Sequence, residues 1–457
     1  MADHNEIVFE SETCAYLEAH GWLYSPNDAG YDRERALFPE DLFAWLEETQ
    51  KPAYEKALKA AGSSAKFLDV LTDALDKPLE HGGGTLNILR SGGVQYIGGG
   101  RLKMAQFRPD TTLNATTNIQ YDAMRVRVMR QVHFSTADQR SIDLVLFVNG
   151  IPVATAELKT HFTQSLDEAI NQYKKARNPP ITNGRAEPLL SFGHRALVHF
   201  AVSNDLAAMT TKLEGEKTHF LPFNVGHDGG AGNPPGAEGR SATAYLWERV
   251  WEKHAWLNII GRLMIVETKE EWDVATGTSV RRTSMLFPRF HQWEAVTEIV
   301  AAVAEEGVGQ RYLIEHSAGS GKTNTIAWTA HRLARLHVDD KKVFDSVIVV
   351  VDRTVLDGQL QDAIRQIDGS GKIVATISPR TYARLARSRS PAYWRRPSRT
   401  ASSSSPLQCR RSRSHSTRSE PIPRSRASAS PSSQMRRTPR SPARSPPNSR
   451  RSSRPKS

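Results

Sequence analysis

Three ionisable residues near the middle of the chain have the types and spacing that phosphodiester hydrolysis needs. They lie in SIDLVLFVNGIPVATAELKTH, where Asp143 precedes an Asn149-Gly150 pair and Glu157 and Lys159 follow it. Glu157 and Lys159 are two residues apart, so on a strand they project from one face. Two carboxylates can hold Mg²⁺, the metal lowers the pKa of a bound water, and an ammonium beside them orients that water or steadies charge at phosphorus. A Glu and a Lys at this spacing also suit a solvated strand face. The flanks favour a site, because Val, Ile, Leu and Phe occupy both parities and a charged cluster among them is costly unless it serves one.

The elements that must position these residues follow from the pattern. Asn-Gly between two apolar runs is a strong hairpin signal. A two-residue turn sets Asp143 opposite Ala156 and leaves Glu157 on the other face, whereas a shift of one residue sets Asp143 opposite Glu157. Pro152 cannot donate to a ladder and argues against the tight hairpin. An odd-length connection or a bulge is therefore expected, with Asp143, Glu157 and Lys159 on one surface. TQSLDEAINQYKKAR then reads as a helix, with Ser165 as N-cap, Asp167 and Glu168 in the first turn, and Lys174, Lys175 and Arg177 in the last. RALVHFAVSND supplies a further strand and completes a β-β-α-β core. Gln172 and Tyr173 are candidates for contact with a DNA strand near the metal; Tyr173 is equally a packing residue.

A second constellation is YLIEHSAGSGKTNTIAW. RYLIEH reads as a short apolar strand, and TNTIAWTAHRLARL repeats apolar residues at helical spacing through Ile326, Ala327, Ala330, Leu333 and Leu336. Between them Gly319, Ser320 and Gly321 form a loop whose backbone amides can turn toward a triphosphate. Lys322 places a cation on its β- and γ-phosphates, and Thr323 can ligate Mg²⁺. His316 stands where the general phosphate-loop pattern has its first Gly. Upstream, Gln292 in FPRFHQWEAV is placed to read an adenine edge, or is a polar surface residue. Downstream, Val347 to Val351 reads as a buried parallel strand ending in Asp352, Arg353 and Thr354, where α/β folds bind ligands. No acidic D-E-x-H-type strand end follows, so turnover coupled to movement is not expected.

Composition bounds the rest. The 457 residues carry a net charge of +12, with 61 Lys+Arg against 49 Asp+Glu. From Arg380 onward there are 21 basic residues and the single Glu420, so the body before it is net acidic, with 40 basic and 48 acidic residues. That tail is Arg, Ser and Pro with almost no aliphatic residues, and is expected to be disordered. The abrupt change near Pro379 suggests an out-of-frame continuation; an Arg-rich tail binding phosphate backbones and a solvated linker are the other readings. Only Cys14 and Cys409 occur, which excludes a disulfide framework and points to a reducing compartment, the cytoplasm. No apolar run approaches the roughly 20 residues that span a bilayer, and the acidic N-terminus lacks signal-peptide order.

Taken together, these blocks resemble the restriction (R, or HsdR) subunit of type I restriction-modification enzymes. NILRSGGVQYIGGGRLKMAQFRP, EGEKTHFLPFNVGHDGGAGNPP, AYLWERVWEKHAWLNIIGR and EHSAGSGKTNTIAW carry the similarity. The resemblance implies an α/β chain with a PD-(D/E)xK restriction-endonuclease-like domain over about 1–265, its nuclease core about 80–205. A partial RecA-like, superfamily 2 helicase lobe would follow over 266–379, then the basic tail over 380–457. Asp143 would be the first acid and Glu157-Leu158-Lys159 the E-x-K. Gln292 would lie in the adenine-reading motif, and Gly319, Gly321, Lys322 and Thr323 in the first helicase motif. The implied activity is Mg²⁺-dependent cleavage of double-stranded DNA coupled to ATP-driven translocation, with modification and specificity subunits as partners. Two departures stand out. In the family's Q-x-x-x-Y element Tyr follows Gln at the fourth position, where this chain has Ala176 after Gln172. The acidic helicase motif and second motor lobe are also missing, so a truncated chain with an unfinished motor is expected.

Overall fold

The computed structural model describes residues 2–160, 165–177, 181–182, 185–236, 240–273, 277–351, 358, 360–364, 367, 374–377 and 407–411. All of them lie within one compact unit, residues 1–413. Its centre is a seven-stranded mixed sheet formed by β1 (Leu23–Ser25), β2 (Val126–His133), β3 (Ser141–Val148), β4 (Ile151–Lys159), β5 (Val198–Ser203), β6 (Ala207–Thr210) and β7 (Leu221–Pro222), lying side by side in chain order. β1 runs parallel to β2 and β4 parallel to β5; the other neighbours are antiparallel. The crossover from β4 to β5 carries a helix, Leu166–Ala176, so the expected β-β-α-β core is present. Ser165 stands at its N-cap without a side-chain hydrogen bond.

Both faces of this sheet are covered, which is why β3 and β4 are apolar on both parities. Leu144, Leu146, Ala154, Ala156, Leu158 and Phe200 pack into one core that extends to Trp45, Trp251, Trp256 and Trp328. Met129, Val145, Phe147, Tyr173 and Leu189 form a second core on the opposite face.

The hairpin is tight, contrary to the expectation drawn from Pro152. Asn149 and Gly150 have φ of 47° and 75°, the two left-handed residues of a two-residue turn, and Val148 pairs with Ile151. Pro152 pairs with Phe147. In a two-residue hairpin the rung beside the closing pair is not hydrogen-bonded, so the missing N–H costs nothing there. The expected bulge follows at once. Val153 has no partner on β3, and beyond it Ala154 faces Leu146 and Ala156 faces Leu144. The next rung of that register sets Asp143 opposite Glu157.

The turn is anchored from below. Asn149 is buried, accepts from the Arg125 backbone N–H at 2.9 Å and donates to the Met104 carbonyl at 2.9 Å. The Gly150 carbonyl accepts from the Phe38 N–H at 2.8 Å, at the start of the helix Pro39–Ala61. A Cβ on Gly150 would come 2.1 Å from the Phe38 carbonyl oxygen. In the first turn of that helix Asp41, fully buried, accepts from Arg125 Nε at 2.9 Å and from Arg127 Nε at 2.6 Å.

The C-terminal elements depart further from expectation. Residues 311–317 form no strand, and Leu313 is 94% exposed. Among the described residues no strand lies beside them, and an apolar run without a partner cannot hold a ladder. Instead, Ile348–Val351 and Val374–Ile377 flank Leu407–Arg411 in a three-stranded parallel sheet. This corrects the reading of the tail as wholly without structure at those five residues. The Ile348–Val351 strand is parallel as expected but not buried on both faces. Val349 and Val351 pack with Ala327, Ala330 and Ala334, while Ile348 and Val350 are 51% and 58% exposed. The out-of-frame origin of the tail and the loop Asp352, Arg353 and Thr354 fall outside the described residues. No helix among those residues is long and apolar enough to cross a membrane.

Removing Asp41 leaves two guanidinium groups without their buried partner. Asp41→Ala is expected to destabilise the protein by about 3–5 kcal/mol, read from urea denaturation.

Candidate active site

Asp143 lies where both of its ladders open. On the β2 side the register runs Arg130–Leu144 and Val132–Ile142 with the Gln131–Asp143 rung missing. On the β4 side pairing ends at Leu144–Ala156, and the Asp143 carboxylate takes over, Oδ2 accepting from the Leu158 N–H at 2.8 Å. A side chain thus completes the hydrogen bonding that the backbone gives up.

Glu157 and Lys159 follow on one face of β4, opposite Ala201 and Ser203 of β5. Glu157 is fully buried. Burial and then the neighbouring Asp143 push its carboxyl well above the usual carboxylate range, against the pull of Arg177 and Lys159. Its Oε1 accepts from Arg177 Nε at 2.6 Å, and its Oε2 is buried without a hydrogen-bond partner. Lys159 is 6% exposed and its Nζ donates to Glu6 Oε1 at 2.6 Å. Burial alone would lower the ammonium's pKa; Asp143, Glu6 and Glu157 outweigh it and hold the pKa above its ordinary value.

Four residues of this neighbourhood have no obvious signal in the strand pattern. Glu6 and Glu10 come from the N-terminal helix Ala2–Ala19, one turn apart. Glu10 is 3% exposed and accepts from Arg130 Nη2 at 2.8 Å. Gln131 faces Asp143 from β2, and Arg177 caps the crossover helix, its backbone N–H donating to the Gln172 carbonyl. The i, i+4 spacing of the two glutamates was the available sign, but only the tertiary fold brings that helix to Lys159.

The two candidate DNA contacts separate. Gln172 is half-buried. Tyr173 is fully buried and takes the packing role: its hydroxyl shares a 2.7 Å hydrogen bond with Thr155, which bonds His199 Nδ1 at 2.8 Å. A DNA strand cannot reach it without unpacking this core.

Among the described residues no three His, Cys, Asp or Glu groups are arranged to hold a metal ion. The two carboxylates nevertheless fit a hard divalent cation. The orphaned Glu157 Oε2 is an unused oxygen ligand, and a nearby positive charge would offset the burial and the Asp143 charge that oppose ionisation of Glu157.

In the phosphate loop, Gly319 and Gly321 have φ of 75° and 83°, and Gly321 caps the helix Lys322–Ala334. Lys322 is exposed and Thr323 half-buried, while Ser320 Oγ is buried without a hydrogen-bond partner. Ala327 and Ala330 of the expected stripe are buried, joined by Trp328, while Ile326 is 42% exposed. Gln292 is 5% exposed and neither faces solvent nor presents a free amide edge. Its Nε2 donates to the Ser320 and Gly321 carbonyls at 3.0 and 3.2 Å, and its Oε1 accepts from the Arg289 N–H at 2.9 Å. It is a strut between the start of the helix Phe290–Glu306 and the loop. His316, in the place of the first Gly, packs edge-on against the His291 ring at 5.2 Å.

Two family models match the chain. Residues 10–218 match the type I restriction enzyme R protein N terminus, and residues 291–389 match the SWI2/SNF2 ATPase family. The chain is an HsdR-like protein. It is 26% identical over 376 residues to the type I restriction enzyme HindI endonuclease subunit of Haemophilus influenzae, covering 78% of this chain and 32% of that one. It is 23% identical over 282 residues to the putative type I restriction enzyme MjaVIIIP endonuclease subunit of Methanocaldococcus jannaschii, covering 59% of this chain and 24% of that one. The HsdR-like chain thus spans a quarter to a third of the length of these relatives. It combines a nuclease-like N-terminal part with an ATPase fragment of the helicase type.

Two expectations follow from this geometry. Burial pushes the His199 imidazole down to about 3 from its ordinary 6.5, so it is neutral in the fold. The stability it contributes is complete above about pH 6.5 and is lost as pH falls toward about 3, because only the unfolded chain binds the proton there. Unfolding midpoints in urea should therefore fall less steeply between about pH 7 and pH 4 in His199→Asn than in the native protein. In the loop, a Cβ on Gly321 would sit 2.3 Å from Gln292 Nε2 at a φ that L side chains avoid. Gly321→Ala should lose ATP binding, measured by fluorescent-nucleotide titration, while leaving the sheet's thermal transition in place.

Proposed function

We propose that the N-terminal part of this chain is a Mg²⁺-dependent endonuclease acting on double-stranded DNA, as part of a type I restriction-modification system in the cytoplasm. The observation that carries the reading is the Asp143 fork, which brings two carboxylates and the Lys159 ammonium to one face beside an orphaned carboxylate oxygen. Asp143 and Glu157 would hold Mg²⁺, which when bound supplies Lewis-acid polarisation and a more acidic water.

The protein's own groups do the rest. Lys159 stays charged and is positioned as the cation for a backbone phosphate, which would take the place of Glu6 on its Nζ. Asp143 stays fixed through the Leu158 N–H while charge builds at phosphorus. Arg177 compensates Glu157 until a cation does so. Hydrolysis then joins the water oxygen to phosphorus and breaks the bond to the leaving sugar oxygen.

The loop at Gly319, Ser320, Gly321, Lys322 and Thr323 is the proposed ATP site. Lys322 would lie on the β- and γ-phosphates, Thr323 on the nucleotide's Mg²⁺, and Gln292 would fix the loop from behind. The modification and specificity subunits are the proposed partners, and translocation belongs to the intact assembly.

Nicking of supercoiled plasmid with Mg²⁺ tests this directly. Asp143→Ala and Lys159→Ala should each lower the rate by on the order of 10²- to 10³-fold. Lys322→Ala should abolish ATP binding and leave Mg²⁺-dependent nicking intact. Undiminished nicking by Asp143→Ala and Lys159→Ala would remove the site assignment.

A further inference from the structure

Gln131 occupies the rung at which the β2–β3 ladder is interrupted. The register is the same on either side of it, so no residue is inserted; the interruption is conformational. Gln131 has φ 47°, in the left-handed region that non-glycine side chains avoid and that collects at functional sites.

Its side chain makes use of that conformation. Nε2 donates to Asp143 Oδ1 at 3.3 Å and to Glu10 Oε1 and Oε2 at 3.3 and 3.5 Å. Ser141 Oγ donates to Gln131 Oε1 at 2.9 Å. One NH₂ group therefore spans a carboxylate of β3 and a carboxylate of the N-terminal helix. The two carboxylates fix the sense of the amide, since the reversed amide would aim its oxygen at both; the Ser141 hydroxyl completes the arrangement by donating to Oε1.

We infer that Gln131 is a positioning residue of the cleavage centre: its amide, supported by Ser141 and anchored on Glu10, holds Asp143 in the orientation that receives the divalent cation. This rests on the nuclease reading of Asp143, Glu157 and Lys159. A neutral amide suits the task because it orients a carboxylate without competing for its charge, as a lysine or arginine there would. Polar groups that orient metal ligands in this way typically matter for affinity and rate rather than for the fold alone.

The test uses the full chain with Mn²⁺ as the probe, its affinity measured by calorimetry alongside the thermal midpoint and plasmid nicking. Gln131→Gly keeps the left-handed backbone without strain and removes the amide. It should leave the thermal midpoint unchanged or raised, weaken Mn²⁺ binding by roughly 10- to 100-fold, and lower kcat with the KM for DNA unchanged. Ser141→Ala, which removes only the hydrogen bond to Gln131 Oε1, should show a smaller loss of the same kind. Native Mn²⁺ affinity in Gln131→Gly overturns the inference, as does a loss of affinity that only tracks a fall in the thermal midpoint. Asp143→Ala separates the two levels. If it loses Mn²⁺ while Gln131→Gly keeps it, Gln131 alone loses its role; if it binds Mn²⁺ as the native protein does, the nuclease reading fails as well.

Discussion

A carboxylate with no access to water sits at the centre of an apolar sheet, one rung across from another carboxylate. Glu157 is fully buried, and its ionised form is opposed by burial and by Asp143. Such a group is expensive to keep unless a cation completes it. The surrounding structure follows from that constraint. Arg177 arrives from the end of the crossover helix, Lys159 comes from the same strand face, and Glu6 and Glu10 close the site from the N-terminal helix.

Placing the two carboxylates together depends on one unpaired residue. Without the bulge at Val153, the tight Asn149-Gly150 turn would send Asp143 and Glu157 to opposite faces. With it, the turn can remain short and buried, clamped by Arg125, Met104 and Phe38, while the far end of the hairpin carries the chemistry. Stability and reactivity occupy the two ends of the same pair of strands. The phosphate loop is built on a similar division: exposed Lys322 faces outward, and buried Gln292 holds the loop's carbonyls from within.

Much of this was legible in the sequence because it is local. The strand periodicity, the Asn-Gly turn, the need for a one-residue shift and the glycine loop ahead of a helix all rest on neighbouring residues. What stayed illegible depends on partners far away in the chain. Tyr173 reads as a DNA contact or a core residue until Thr155 and His199 are seen against it, and Gln292 reads as an adenine contact until the loop closes on it. Pro152 misled because its cost depends on which rung it occupies, which the sequence leaves open. RYLIEH has strand propensity but no neighbouring strand among the described residues, and propensity does not supply one.

The most direct measurement of the central claim is a crystal structure grown with Mn²⁺ and phased to show anomalous scattering. Manganese is expected on Asp143 and on Glu157 Oε2, with Arg177 drawn back from Glu157. A strong anomalous peak elsewhere, with Arg177 still bonded to Glu157 and no metal on Asp143, would contradict it.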